Sequence, residues 1–389
     1  MIILKVDIDN FYCFKDFKIN FSYKKKLSNS LIENEFLEDY PNFRFKKVNL
    51  LMGCNASGKT AFGKMLMAIV NFIKYKRVDL LFNGITNNEK KALFKIDFAI
   101  RGKEFKYFLY SLEVEIKDNV VSQLYFDKIS LNKRDSYESA LKRMAQLNKN
   151  VILKNSQIRL KNENSTDLEN NVNQVLTKEM TDILDQINSL GWFFCFPNQD
   201  ATPLEFDPKV LEYILKTFDN SILSVKPVKN TKNGYLIQFN HGKNILIQDG
   251  KASAGNDILS SGTKEGVEIA YVITSMLKSS ERPFYIDEKF SYSHTEIEKN
   301  IFSLLIDLIG KEDQLFFTTH NLDLLDMNLP LHSYTFFGKT NNRITPLYPE
   351  NLFINKNDRN LRNLVLNDVF NTIPNVDALD TLRNYLLNK

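Results

Sequence analysis

The stretch Gly53-Cys54-Asn55-Ala56-Ser57-Gly58-Lys59-Thr60 restricts what this chain can fold into more than any other. It has a glycine, four residues, then Gly-Lys-Thr, the phosphate-binding loop pattern. That pattern needs a buried strand before it and a helix after it. Residues 47–52 suit the strand. Residues 61–75 suit the helix, with Phe62, Met65, Leu66, Ile69 and Phe72 on one face. Glycines let the backbone wrap a phosphate, and the amides of a helix start attract anions. In such a loop Asn55, Ala56, Ser57 and Gly58 offer the cradle and Lys59 reaches the outer phosphates. The Thr60 hydroxyl holds Mg²⁺.

Composition narrows the setting. The 389 residues carry 51 basic and 47 acidic side chains, a net charge of +4, which neither demands nor excludes nucleic acid. Cys13, Cys54 and Cys195 lack metal-ligand spacing, so no zinc site or disulfide framework is expected and a reducing cytoplasm is the natural home. The amino terminus alternates like a strand and reads as no signal peptide. No apolar run approaches the roughly 20 residues of a membrane helix, so no direct membrane insertion is expected.

Along the chain, residues 2–8 and 14–21 read as an antiparallel pair of strands, and 23–44 as a loop or small insertion. The triplet Lys24-Lys25-Lys26 reads as a solvated surface or a nucleic-acid contact. Residues 92–100, 103–116 and 120–131 read as an antiparallel meander. From 133 to 217 apolar residues recur at helical spacing (Leu176, Met180, Ile183, Leu184, Ile187), broken by the Asn-rich run 162–173. Strands resume at 221–228, 234–239 and 244–248, and a Gly/Ser/Ala linker, 249–257, follows.

Three further stretches carry chemistry. Leu259-Ser260-Ser261-Gly262-Thr263 precedes a helix over 264–277 with Val267, Ala270, Tyr271, Thr274 and Leu277 inward. It reads as an anion-binding helix start or as a plain cap. Pro283-Phe284-Tyr285-Ile286-Asp287-Glu288 is an apolar strand ending in two carboxylates, where open α/β sheets place ligands. Asp287 suits the Mg²⁺ complex and Glu288 a general base. Gln314-Leu315-Phe316-Phe317-Thr318-Thr319-His320 is a second apolar strand with a polar end. His320 is placed to touch a γ-phosphate or the attacking water. His241, His294 and His332 have no such position. The tail offers a strand at 333–337 and helices at 359–370 and 376–387.

The ordered set GCNASGKT, LSSGT, FYIDE and TTH resembles the ABC-type ATPase superfamily over residues 1–130 and 220–345. LSSGTKEG, FYIDEKF and QLFFTTHNLDLLD are most similar to the ATPases of bacterial anti-phage systems, including abortive-infection, overcoming-lysogenisation-defect-like and TOPRIM-nuclease-partnered ones. The resemblance implies an α/β P-loop ATPase head, a mixed sheet with an antiparallel β-subdomain, and an inserted helical lobe. The expected division is 1–132, 133–220 (the lobe), 221–345 and a helical tail, 346–389. It implies ATP and Mg²⁺ as ligands and head-to-tail pairing, at least a homodimer. Ser260, Ser261, Gly262 and Thr263 of one copy would then serve, in trans, the phosphate held by the other. It also implies a separate effector, a nuclease or toxin, with DNA or a phage protein as trigger. Two other functions stay open: a RecF- or SMC-like ATPase clamping DNA, and a transporter ATPase. Against the last, a glutamine loop cannot be placed. Gln123 and Gln199 are candidates only as glutamines in the middle region. No long heptad stretch supplies SMC-type arms. The roughly 70 residues after His320 are too few for a fused TOPRIM domain.

Overall fold

The computed structural model describes residues 1–25, 30–102, 105–150, 157–161, 176–187, 190–196, 206–229, 231–252, 259–278, 283–290, 294–341, 343–352, 361–373 and 376–387, with backbone alone at 147–150, 157–161 and 252. Lys26, the Asn-rich run 162–173, Gln199 and residues 253–257 of the linker lie outside them.

In chain order the first strands are β1 (Ile2–Asp9), β2 (Phe17–Asn20), β3 (Phe36–Leu37), β4 (Tyr40–Arg44) and β5 (Val48–Met52). Helices α1 (Lys59–Tyr75) and α2 (Asp79–Phe82) follow, then β6 (Ala92–Arg101), β7 (Tyr107–Lys117) and β8 (Val120–Ser130). Next come α3 (Tyr137–Asn150), β9 (Gln157–Lys161), α4 (Lys178–Leu184), β10 (Phe193–Cys195) and α5 (Pro208–Phe218). Strands β11 (Ile222–Pro227), β12 (Gly234–Phe239), β13 (Asn244–Gln248) and β14 (Lys251–Ala252) lead to α6 (Ser261–Lys278), β15 (Pro283–Asp287), α7 (Thr295–Leu308) and β16 (Gln314–Thr319). The chain closes with β17 (Tyr334–Thr340), β18 (Arg343–Leu347), α8 (Leu361–Leu366) and α9 (Asp377–Leu387).

Two six-stranded sheets flank α1. One, ordered β2-β1-β6-β7-β8-β9, is antiparallel throughout. The other, β10-β15-β16-β5-β17-β18, is parallel except for β18. Every residue of β5, β15 and β16 is buried. Parallel strands covered on both faces favour apolar side chains on both, which is why these read as near-continuous apolar runs, and the polar exceptions, Asn49 and Gln314 among them, are buried with hydrogen bonds. The α1 side chains Phe62, Met65, Leu66, Ile69 and Phe72 are all buried, as their spacing predicts. Phe62 lies 5.9 Å from the Phe17 ring and 5.8 Å from the Phe337 ring, joining the two sheets in one aromatic core. Gln314 ties them a second way. Its amide accepts from the Ile3 N–H at 2.6 Å and donates to the Ile3 carbonyl at 2.9 Å and the Lys46 carbonyl at 3.2 Å.

Three expectations need correction, and the choice left open for 23–44 falls to a small insertion. Residues 133–220 are not helical throughout. Strand β9 extends the antiparallel sheet and β10 the parallel one. Both are short, and β10 lies in the all-apolar run 192–196, where neither a two- nor a 3.6-residue period can show. The interval 23–44 contains the small β3–β4 hairpin. β2 covers only part of 14–21, because Phe11 and Phe14 bridge in a tight turn before it. Leu277 is exposed, and in the last turn of α6 it is Met276 that joins the core with Val267 and Ala270. The strands of 222–252 pair among themselves as a separate four-stranded sheet, packed on α5. No helix among the described residues is long and apolar enough to cross a membrane.

Candidate functional site

The parallel order β15-β16-β5 brings three strand ends together. Asp287, Thr318 and Leu51 share one level of the sheet, and Thr319 pairs with Met52. Whatever follows each strand therefore meets at one place: Glu288, His320, and the loop starting at Gly53.

The loop is held by conformations its residues tolerate for specific reasons. Gly58 sits at φ +94°, and a Cβ there would meet Ile344 at 2.8 Å and Cys13 at 3.0 Å. The β1–β2 turn thus lies against the helix start, a neighbour the motif does not announce. Gly63, one turn into α1, admits the Tyr285 ring: a Cβ would come within 2.3 Å of it. Tyr285 then donates from its hydroxyl to the Lys59 carbonyl at 2.6 Å, fastening the Asp287 strand to the first residue of α1.

Lys59 is 3 % exposed, and its ammonium donates to the carbonyls of Gly53, at 2.9 Å, and Cys54, at 3.3 Å. It lies 3.3 Å from Glu288 Oε1 and 3.5 Å from His320 Nε2. His320 Nε2 stands 2.8 Å from the same Glu288 oxygen, which makes Nε2 the protonated nitrogen. Lysine, glutamate and histidine therefore meet at one oxygen atom. The His320 hydrogen bond, with help from Lys59 and against partial burial, lowers the Glu288 pKa to about 2. Burial lowers the Lys59 pKa, opposed by Glu288 and Asp287. Burial raises the Asp287 pKa, opposed by Thr318, Thr60 and Lys59.

Thr318 is the residue the sequence reading passed over. Its hydroxyl donates to Asp287 Oδ1 at 2.6 Å and accepts from the Glu288 N–H at 3.0 Å. One side chain thus fixes both carboxylate residues. It also holds Glu288 at φ +45°, a left-handed backbone that glutamate rarely adopts. A threonine directly after the apolar run Leu315-Phe316-Phe317, level with Asp287, is the signal that marks it. Lys289 is buried behind Glu288 and donates to the Phe196 carbonyl and to Glu268 of α6, joining that helix to the same turn.

The fit to a nucleotide and a divalent cation rests on two orphaned atoms. Asp287 Oδ2 and Ser57 Oγ are buried without a hydrogen-bond partner within 3.5 Å among the described residues. The Thr60 hydroxyl is near enough to pull down the Asp287 pKa. A buried carboxylate oxygen facing a threonine hydroxyl, beside a glycine loop at a helix start, is the donor set a hard cation and phosphates require. A cleft of about 330 Å³ opens on the α8 side of the loop, lined by residues 53–55, Thr319, His320 and apolar side chains including Val365 and Ile373.

Ser260, Ser261, Gly262 and Thr263 stand elsewhere. Ser260 accepts from the Thr263 N–H at 3.1 Å and contacts its hydroxyl at 2.7 Å, capping α6. Ser260 and Ser261 are exposed and Thr263 is buried. Among the described residues these bonds stay within the helix start. Gln123 lies on β8 of the antiparallel sheet and accepts from Tyr125 at 3.0 Å.

The sheets and their order define a mixed α/β fold with the glycine loop at the C-terminal end of an interior parallel strand, and the chain shares its fold with the head domain of an SMC protein. A structure of an SMC head bound to the C-winged helix domain of ScpA aligns with TM-score 0.50 at 14 % identity, covering 90 % of this chain and 100 % of that one. The SMC head domain from Thermotoga maritima aligns at 0.41 and 13 % identity, covering 90 % and 99 %. The recombination mediator RecF aligns at 0.42 and 9 % identity, covering 89 % and 98 %. No family model matches the chain, and no curated protein does.

Proposed function

We propose that the chain is an ABC-type ATPase head that hydrolyses ATP at sites shared between two copies and uses the cycle to control a partner effector. The observation that carries this reading is the meeting of Lys59, Glu288 and His320 at one oxygen, beside Asp287 and the glycine loop. The amides at the start of α1 and the Lys59 ammonium bind the outer phosphates. Thr60 and Asp287 would hold Mg²⁺, which would offset phosphate charge when bound. Glu288, kept ionised by His320 and Lys59, accepts the proton of the attacking water at its carboxylate. His320 orients that carboxylate through Nε2.

The exposed start of α6 supports a site completed in trans. Ser260 and Gly262 of one copy would meet the γ-phosphate held by the other. A Ser260→Arg variant is expected to bind ATP and not hydrolyse it, and a Lys59→Ala variant to do neither. Mixed in equal amounts, random pairing leaves one site in four intact, so about a quarter of the wild-type rate should return. A mixture no more active than its parts rules out a shared site.

The finer assignment is to anti-phage defence in the cytoplasm, with a separate nuclease or toxin as effector and DNA or a phage protein as trigger. It rests on the resemblance carried by LSSGTKEG, FYIDEKF and QLFFTTHNLDLLD. A second reading, an SMC- or RecF-like clamp on DNA, is favoured by the fold likeness to an SMC head. Affinity capture of Glu288→Gln protein from its native host with Mg-ATP, followed by mass spectrometry, separates them. A co-purifying nuclease or toxin is expected. DNA retained with a steep salt dependence would favour the clamp, and a permease would favour a transporter.

A further inference from the structure

Glu298 belongs to none of the motifs. It lies in the first turn of α7 and is 5 % exposed. Its Oε1 accepts from the Thr319 hydroxyl at 2.7 Å and its Oε2 from the Asn321 side-chain amide at 2.7 Å. The Thr319 hydroxyl in turn accepts from the Asn321 N–H at 3.0 Å, and Asn321 Oδ1 from the Asp323 N–H at 3.0 Å. Both neighbours of His320 are thus tied to one carboxylate, and His320 is the residue between the ties. Glu288, Glu298, Thr319, His320 and Asn321 share the lining of a cavity of about 110 Å³. Burying a carboxylate is costly, and burial does raise the Glu298 pKa against its two hydrogen bonds. A buried charge held at that cost, beside the catalytic group, is better explained by placement than by stability.

We infer that Glu298 is a positioning residue, which holds the Thr319–Asn321 turn so that His320 meets Glu288 in one orientation during hydrolysis. This rests on the ATPase reading of the site. A purely structural role predicts lost stability and a loss of activity independent of His320. The positioning role predicts a loss that operates only through His320.

The test is steady-state ATP hydrolysis by the full chain in a double-mutant cycle of Glu298 and His320, with thermal unfolding measured in parallel. Glu298→Ala is expected to lower kcat about 10- to 100-fold with KM changed less than about two-fold. Glu298→Gln, whose amide oxygen can still accept from Thr319, should recover part of it. In a His320→Ala background either change should cost less than about two-fold. Additive losses, an unchanged kcat, or a rise in KM alone would overturn the inference. If Glu298→Ala does not fold, the glutamine arm of the cycle decides in the same way. Hydrolysis by the wild type with kcat-neutral Glu298 variants sinks this inference alone. A wild type that does not hydrolyse ATP sinks the ATPase reading and this inference with it.

Discussion

Lys59→Ala is expected to abolish nucleotide binding. The ammonium is 3 % exposed and is held at the mouth of the loop by the Gly53 and Cys54 carbonyls and by Glu288. Burial already lowers its pKa, so the charge is poorly hydrated and gains more from a phosphate than a surface lysine would. Two charge-assisted hydrogen bonds to phosphate oxygens, at about 1.5–3 kcal/mol each, correspond to roughly 10²- to 10⁴-fold in affinity. Truncation also leaves Glu288 facing the incoming phosphates without its lysine, which adds repulsion to the lost attraction. Titration with a fluorescent ATP analogue reads the effect directly. An unchanged Kd would show that the loop does not hold the phosphates through Lys59, and the site would have to be sought elsewhere.

The parts of this site that were legible in the sequence are those where physics leaves little choice. Parallel strands buried on both faces favour apolar side chains on both, so the near-continuous apolar runs in 48–52, 283–287 and 314–319 announced themselves, as did the residues ending them. The α1 face followed from its 3.6-residue spacing. What stayed hidden depends on which elements become neighbours. Thr318 gains its role from standing level with Asp287 across β16 and β15, a register no local pattern encodes. Glu298 reaches the His320 turn from a helix more than 20 residues away in sequence. Lys289 follows the Asp287-Glu288 pair and is 4 % exposed because Glu268 and the Phe196 carbonyl receive it. Strand β10 is three residues long and takes its alignment from β15. In each case the residue type was visible and its partner was not.

Glu288→Gln tests the chemistry rather than the binding. The amide keeps the shape of the side chain, and its oxygen can still accept from His320 Nε2 and Lys59. Nucleotide affinity should therefore hold while hydrolysis falls about 10²- to 10⁴-fold, the usual worth of a positioned base. The wild-type carboxylate of the free protein, with a pKa of about 2, is ionised throughout the neutral range, so an acid limb in kcat/KM above pH 4 is expected to come from another group. The same lowered pKa has a stability consequence of defined sign. Ionised Glu288 stabilises the fold above the ordinary glutamate range, and that contribution disappears as pH falls towards 2. The glutamine variant lacks it at every pH, so the stability difference between the two proteins should shrink on acidification. If ATP binding pairs two copies, removing the base should also trap the pair. Light scattering with Mg-ATP should then find Glu288→Gln as a lasting dimer under conditions where the wild type returns to monomer as its ATP is consumed. Hydrolysis at the wild-type rate would remove Glu288 from the chemistry. Slow hydrolysis without dimer formation would keep it there and refute the shared site.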